Sequence, residues 1–299
     1  MQDIDRIRHF NRFYTAHMGL YSADFLGAGL SVMALRVFYE IAIGDGRSAR
    51  SIAQELGLDE GYVSRLVKGF EGRGWLERVA SEQDARRKEI RLTKDGQGAF
   101  NTFVAKSRTE TERRLNGANP RVVAAALTQA EAALIPVDPA TVVLRDMLPG
   151  DAGWLIERNA ETYVSEYGHT IDIEHVVGAV VLNYMQHRDP ATHRAYIAAD
   201  PLRRLGSVFL EPGEASGVCK LRVFFVDPSA RGLGLGRRLI EACIAGARDI
   251  GYTRMELMTI DTLKPARRVY AQNDFVIEQS SPIQLAGKAV NEEKWARSL

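Results

Sequence analysis

The chain has 299 residues, 45% of them hydrophobic and 26% charged, with a net charge of +1. This globular balance excludes a mainly disordered chain and leaves room for two domains. No apolar run approaches the ~18 residues that span a bilayer, and Met1-Gln2-Asp3-Ile4-Asp5-Arg6 lacks the apolar core of a secretory leader, so no membrane partner and a cytoplasmic location are expected.

The first 135 residues carry about +3 and the remainder about −2, which points the front half toward anionic partners. That half opens with two helical segments, roughly Asp3 to Met18 and Ser31 to Ile43. Ser48 then caps a short helix with the apolar stripe Ile52, Ala53 and Leu56, and Gly57 ends it. Asp59 caps the next helix, with Leu58 and Val63 placed as a hydrophobic staple. Val63, Leu66, Val67 and Phe70 follow at i, i+3, i+4 and i+7, leaving Tyr62, Ser64, Arg65 and Lys68 on the opposite face. Two short helices joined by a three-residue turn have helix-turn-helix geometry. Gly74 to Val79 and Glu89 to Thr93 alternate like the arms of a hairpin, and the tip between them holds Asp84, Arg86, Arg87 and Lys88. A long helix from Lys94 to Leu115 carries Phe100, Phe103 and Val104 on one stripe.

Helix, turn, helix and basic hairpin make a winged helix, whose second helix suits a DNA major groove and whose tip suits phosphates or a minor groove. This segment resembles the MarR family of transcriptional regulators over about residues 1–135. The matching runs are Ser51-Ile52-Ala53-Gln54-Glu55-Leu56-Gly57-Leu58, Val63-Ser64-Arg65-Leu66-Val67, Arg73-Gly74-Trp75-Leu76, Asp84-Ala85-Arg86-Arg87 and Leu92-Thr93-Lys94-Asp95-Gly96. The resemblance implies double-stranded DNA as partner, with Tyr62, Ser64, Arg65 and Lys68 on the recognition helix and Arg86 and Arg87 in the wing. It also implies a homodimer through the terminal helices. Gly61-Tyr62 departs from the small hydroxyl residues usual there.

Prolines 136 and 139 mark a boundary, with domains expected at 1–137 and 141–299. Beyond it strands and helices alternate. Thr141 to Arg145 reads as a strand. Asp151 is placed to cap a helix reaching Val164, and a second helix runs from Asp172 to Gln186. Strands are expected at Thr192 to Ala199, Leu205 to Leu210 and Val218 to Val226, the last rich in β-formers. The chain then turns through Asp227-Pro228 into Ser229-Ala230-Arg231-Gly232-Leu233-Gly234-Leu235-Gly236-Arg237-Arg238, a glycine-rich turn opening an amphipathic helix. Such a turn offers free amides and a helix dipole to an anion such as a pyrophosphate. A dinucleotide fold wants this motif after its first strand, and a Walker loop wants Gly-Lys-Ser/Thr; neither fits. The two cysteines, Cys219 and Cys243, are too few and too far apart for a zinc or disulfide framework, and no metal is expected.

The arrangement resembles the GNAT acyltransferase superfamily over residues 141–299. Arg231, Gly234 and Gly236 match its coenzyme loop, and Val226-Asp227-Pro228, the strand Met255 to Ile260, Ala266-Arg267-Arg268-Val269-Tyr270 and Asn273-Asp274-Phe275 supply the context. The resemblance implies acetyl-CoA as acyl donor, held by Phe224, Phe225, Val226, Arg231, Gly232, Leu233, Gly234, Leu235, Gly236 and Arg237. It implies direct attack by an amine on the thioester, with Tyr270 as general acid. The loop Tyr163 to Thr170 lines the acceptor site in such folds, and it offers Glu166 and His169 as catalytic groups. No residue declares itself the base. Leu263 stands where many members carry Asn.

The fold class expected is therefore α+β in two domains: a mainly helical winged helix-turn-helix, then an α/β GNAT fold with a mixed, mostly antiparallel sheet. One reading is a bifunctional DNA-binding regulator and N-acetyltransferase acting on a small amine, amino acid or peptide, cytoplasmic and nucleoid-associated when bound to DNA. A second is a regulator whose GNAT domain senses acyl-CoA or an amine without turnover. A third is an enzyme whose front half only dimerises.

Overall fold

A computed structural model of the chain describes residues 2–22, 24–27, 29–44, 47–80 and 88–299. It divides into two compact units, Met1–Val123 and Ala124–Leu299.

The first unit runs α1 (Gln2–His17), α2 (Val32–Ile43), α3 (Ala49–Leu56), α4 (Glu60–Gly72), β1 (Leu76–Ala80), β2 (Lys88–Leu92) and α5 (Lys94–Leu115). Its helix ends follow local chemistry. The Ser48 hydroxyl accepts from the Ser51 amide, with Ser51 reciprocating. Gly57 closes α3 at φ 63, a left-handed value that glycine adopts without a Cβ penalty. Asp59 accepts from the Tyr62 amide. Thr93 caps α5 by accepting from the Gly96 amide, and its hydroxyl donates to the Gly74 carbonyl at 2.6 Å. A Cβ on Gly96 would stand 1.9 Å from the Trp75 carbonyl oxygen, so the Leu-Thr-x-x-Gly run is a contact between a helix start and the turn before β1. The core joins Val37, Phe38, Ile52, Val63, Val67 and Phe70 with Leu76 and Ile90 of the antiparallel hairpin. Gly96 is the one buried residue of α5, and α1 has none.

The second unit holds most of α6 (Pro120–Leu134), then β3 (Val143–Arg145), α7 (Asp151–Tyr167), α8 (Ile173–His187), β4 (Arg194–Ala199), β5 (Arg204–Pro212), β6 (Val218–Val226), α9 (Leu235–Ile250), β7 (Arg254–Ile260), α10 (Lys264–Gln272), β8 (Val276–Leu285) and β9 (Lys288–Ser298). Seven strands form one sheet in the order β3-β4-β5-β6-β7-β9-β8. Only β6 and β7 pair in parallel; the other neighbours are antiparallel. This is the mixed, mostly antiparallel sheet expected. On one face α9 and α10 bury Leu235, Leu239, Ile240, Cys243 and Tyr270 against the sheet. On the other, Leu155 of α7 and Val181 and Tyr184 of α8 cover Ala195, Ile197 and Phe209. Each fully buried Leu or Ile contributes roughly 1.5–3 kcal/mol of transfer free energy, and α9 supplies three of them at helical spacing.

Two expectations change. Asp151 is not the cap of α7: Gly150 at φ 93 holds that position, with no side-chain cap bond. Asp151 is the first helical residue, fully buried, and accepts from Arg145 at 2.7 and 3.1 Å, Arg204 at 2.7 Å and the Leu148 amide at 2.7 Å. A buried carboxylate must be paired, and two arginines from other elements claim this one. The hairpin β8–β9 is the second difference: no sequence pattern marks it, and it inserts β9 beside β7.

Candidate functional site

The site begins where two strands part. β6 and β7 pair from Val218–Arg254 to Leu221–Leu257 and no further, although β6 runs on to Val226 and β7 to Ile260. The cause lies in β6. Ser207 of β5 faces Phe225 while Phe209 faces Arg222, so β6 carries one extra residue there, a β-bulge. Val223 within it adopts φ 47, rare for a β-branched residue, and the Ser207 hydroxyl donates to its carbonyl at 2.7 Å.

The gap opens into a cleft of about 210 Å³. Phe224 of β6, Met258, Thr259 and Ile260 of β7 and Tyr270 of α10 line it, with Asn159 and Tyr163 of α7 and Val176, Val177 and Val180 of α8 on another side. Leu285 and Glu292 of the last hairpin complete the wall. Tyr270 is buried among Phe224, Phe275 and Trp295, at ring distances of 5.5, 6.0 and 6.0 Å. Its hydroxyl makes no hydrogen bond to any described residue, and burial drives its pKa far above the ordinary phenol value. Burial likewise pushes the Tyr163 hydroxyl up to about 12. The Thr259 hydroxyl is buried without a partner among the described residues.

The glycine loop leaves the same strand. Asp227 receives the Ser229 amide at 2.9 Å and hydroxyl at 2.6 Å, and also pairs with Arg158 of α7 at 3.0 Å. This fixes the turn that follows β6. Gly232 and Gly234 take φ 80 and 75, and Gly234 is the N-cap of α9 with no side-chain cap bond. The first amides of α9 therefore face outward with the positive end of the helix dipole, an arrangement suited to an anion. A Cβ on Gly236 would lie 3.4 Å from Phe224 and 3.6 Å from Val269, which packs the loop beside the cleft.

Of the predicted residues, Phe224 and Tyr270 line the cleft, while Arg231, Gly232, Leu233, Gly234, Leu235, Gly236 and Arg237 form the turn into α9. Phe225 is buried and packs edge-on against Trp154 at 6.0 Å; Val226 ends β6 and packs against the core of the unit. Glu166 is the ion-pair partner of Arg231 at 2.7 Å. His169 is buried, with Nδ1 3.1 Å from the Leu285 carbonyl and its ring edge-on to Tyr163; its Nε2 has no partner among the described residues. Neither Glu166 nor His169 is among the cleft-lining residues. Burial pushes the Cys219 thiol up to about 12 and holds the Cys243 thiol well above its ordinary value, so both serve as apolar core groups rather than nucleophiles. No group of metal ligands is found among the described residues, and none of their helices is long and apolar enough to cross a membrane. A wider hollow of about 940 Å³ lies between α6 and the turn from β4 to β5, but its arginines 145, 158, 203 and 204 are already paired with Asp151, Asp227 and Asp200.

Thr259, Asn159 and Glu292 are functional candidates that sequence reasoning misses. No local motif marks them; they reach the cleft through the topology alone.

In the first unit, α4 presents Arg65 and Lys68 exposed and Tyr62 and Ser64 half-buried. Arg65 and Lys68 make no ion pair with any described residue. Arg86 and Arg87, with Asp84, lie outside the described residues.

A model of the MarR family matches residues 28–87, and a model of the acetyltransferase (GNAT) family matches residues 138–275. An uncharacterized N-acetyltransferase of Schizosaccharomyces pombe is 32% identical over 116 residues, 38% of this chain and 71% of that protein. Among solved structures, a GNAT-family acetyltransferase from Staphylococcus aureus is 18% identical, covers 52% of this chain and 98% of its own, and has a TM-score of 0.44. An acetyltransferase from Salmonella typhimurium, solved with its cofactor acetyl-CoA, is 15% identical, covers 52% and 93%, and has a TM-score of 0.42.

Proposed function

The chain belongs to the GNAT acetyltransferase family, and we propose that it transfers an acetyl group from acetyl-CoA to the nitrogen of a small amine, amino acid or peptide. The observation that carries this reading is the cleft between the parted strands adjoining the uncapped start of α9. The amides of Gly232 to Gly236 and the guanidinium of Arg231 receive the pyrophosphate, with Arg237 at the rim. Phe224, Phe225 and Val226 guide the thioester arm along the end of β6 that β7 has left, whose amides polarise the carbonyl. Tyr270 donates its proton to the departing thiolate, and the proton released by the attacking nitrogen passes to water, from which the hydroxyl is restored; burial keeps Tyr270 protonated through neutral pH, as that role needs. Glu166 positions Arg231, and His169 anchors the loop after α7 to the last hairpin.

The front unit carries MarR-family sequence, which supports binding to double-stranded DNA through Tyr62, Ser64, Arg65, Lys68, Arg86 and Arg87. Ile4, Ile7, Phe10 and Phe13 of α1 are 45–62% exposed, an apolar face that a second copy covers in a homodimer. The two tasks fall to the two compact units, Met1–Val123 and Ala124–Leu299.

The test is calorimetric titration of acetyl-CoA into the wild type and into Gly234→Glu, followed by thiol-release assays over an amine panel. Binding in the wild type and its loss in the variant, with turnover of an amine, bears the reading out. Binding and ligand-dependent DNA affinity without turnover favours a sensor, and absence of binding by folded wild type overturns the enzyme reading.

A further inference from the structure

Two charged residues line the cleft, Arg222 and Glu292. They differ in state. Arg222 is paired with Glu211 at 3.0 Å. The Glu292 carboxylate makes no hydrogen bond or ion pair with any described residue, although its neighbours on β9 are engaged: Glu293 accepts from Arg267 at 2.9 Å and from Trp295 at 3.0 Å, and Lys294 pairs with Glu256 at 3.0 Å. The register puts Glu292 opposite Ile260, itself a cleft residue, on the end of β7 that has left β6. Glu292 is half-buried, where a carboxylate loses hydration and gains from a cationic partner. The surfaces around it are apolar: Ile173, Val176, Val177 and Val180 on α8, with Leu285.

We propose that Glu292 is the group that recognises the acceptor, binding its ammonium, and that the acceptor is a compact cationic amine with an apolar body. This inference rests on the acyltransferase reading above. A primary ammonium has three donors; the carboxylate of Glu292 takes one, and the hydroxyl of Tyr163 in the same cleft, without a partner among the described residues, is a further acceptor. The valine wall of α8 receives the apolar body, and the single carboxylate excludes anionic acceptors by repulsion.

The test uses the full chain saturated with coenzyme A, so that no turnover intervenes, with 2-phenylethylamine, phenylacetate and spermidine titrated calorimetrically. Wild type is expected to bind 2-phenylethylamine and to ignore phenylacetate. Glu292→Gln is expected to weaken the amine about ten- to a hundredfold, the loss of one charge-assisted hydrogen bond, while Glu292→Asp keeps part of it. Coenzyme A affinity and melting temperature stay at wild-type values in both variants. Equal amine binding by wild type and Glu292→Gln, no amine binding by wild type, or phenylacetate binding as tight as the amine overturns the inference while leaving the acyltransferase reading intact. Preference for spermidine overturns the apolar body. Failure of wild type to bind coenzyme A overturns the acyltransferase reading itself and the inference with it.

Discussion

Arg231 Nη1 lies 2.7 Å from Glu166 Oε2, which ties the turn before α9 to the last turn of α7. A carboxylate held this way serves the arginine. Arg231→Gln is expected to raise the Kd for acetyl-CoA about tenfold, the order of one charge-assisted hydrogen bond. Glu166→Gln should leave kcat near wild type and move only the KM for acetyl-CoA. A kcat loss of roughly a hundredfold or more in Glu166→Gln would instead mark it as a general base.

Tyr270→Phe should lower kcat by about 10²–10⁴, the usual range for one general acid, with acetyl-CoA binding unchanged. Stability should hold, because the hydroxyl has no partner among the described residues. Since burial raises the Tyr270 pKa, its ionisation should not limit the rate anywhere below about pH 10, the ordinary tyrosine value. A pH–rate profile whose alkaline fall is tied to this hydroxyl near neutrality would remove Tyr270 from the acid's role.

Asp151 should carry a large share of the stability of its unit. Burial opposes its charge, but the bonds from Arg145 and the Leu148 amide and the charge of Arg204 outweigh it, and its pKa sits below the ordinary value. A depressed carboxyl stabilises the fold above its unfolded pKa and stops doing so as pH falls through the folded one. Resistance to denaturant should thus weaken below about pH 4. Asp151→Asn should cost about 3–5 kcal/mol at neutral pH and flatten that acid limb.

Arg65→Ala and Lys68→Ala, singly and together, should weaken double-stranded DNA binding. For every phosphate that α4 no longer neutralises, the slope of log K against log salt should fall in magnitude by about one. A slope unchanged in the double variant would take α4 out of the interface.

Much of the architecture is written in short-range chemistry. Ser48, Asp59 and Thr93 announce helix starts because the amide each one satisfies lies three residues along the chain. The turn into α9 is legible for the same reason, since glycines and a helix start are local facts. Asp151 misleads because it looks like a cap from nearby and becomes an ion-pair centre only when Arg204, on β5, arrives. Glu292 and Thr259 are silent in the sequence because their meaning depends on β9 entering the sheet between β7 and β8, a choice no local pattern encodes.

The last hairpin begins at Val276, just past residue 275, where the family match ends, yet it sends Leu285 and Glu292 into the cleft. On the reading proposed above, the turn after β6 grips the donor, while part of the contour met by the acceptor is spelled by this separate stretch of chain. On that reading, changes at Leu285 and Glu292 retune which amine is taken, while the turn after β6 keeps its hold on the donor.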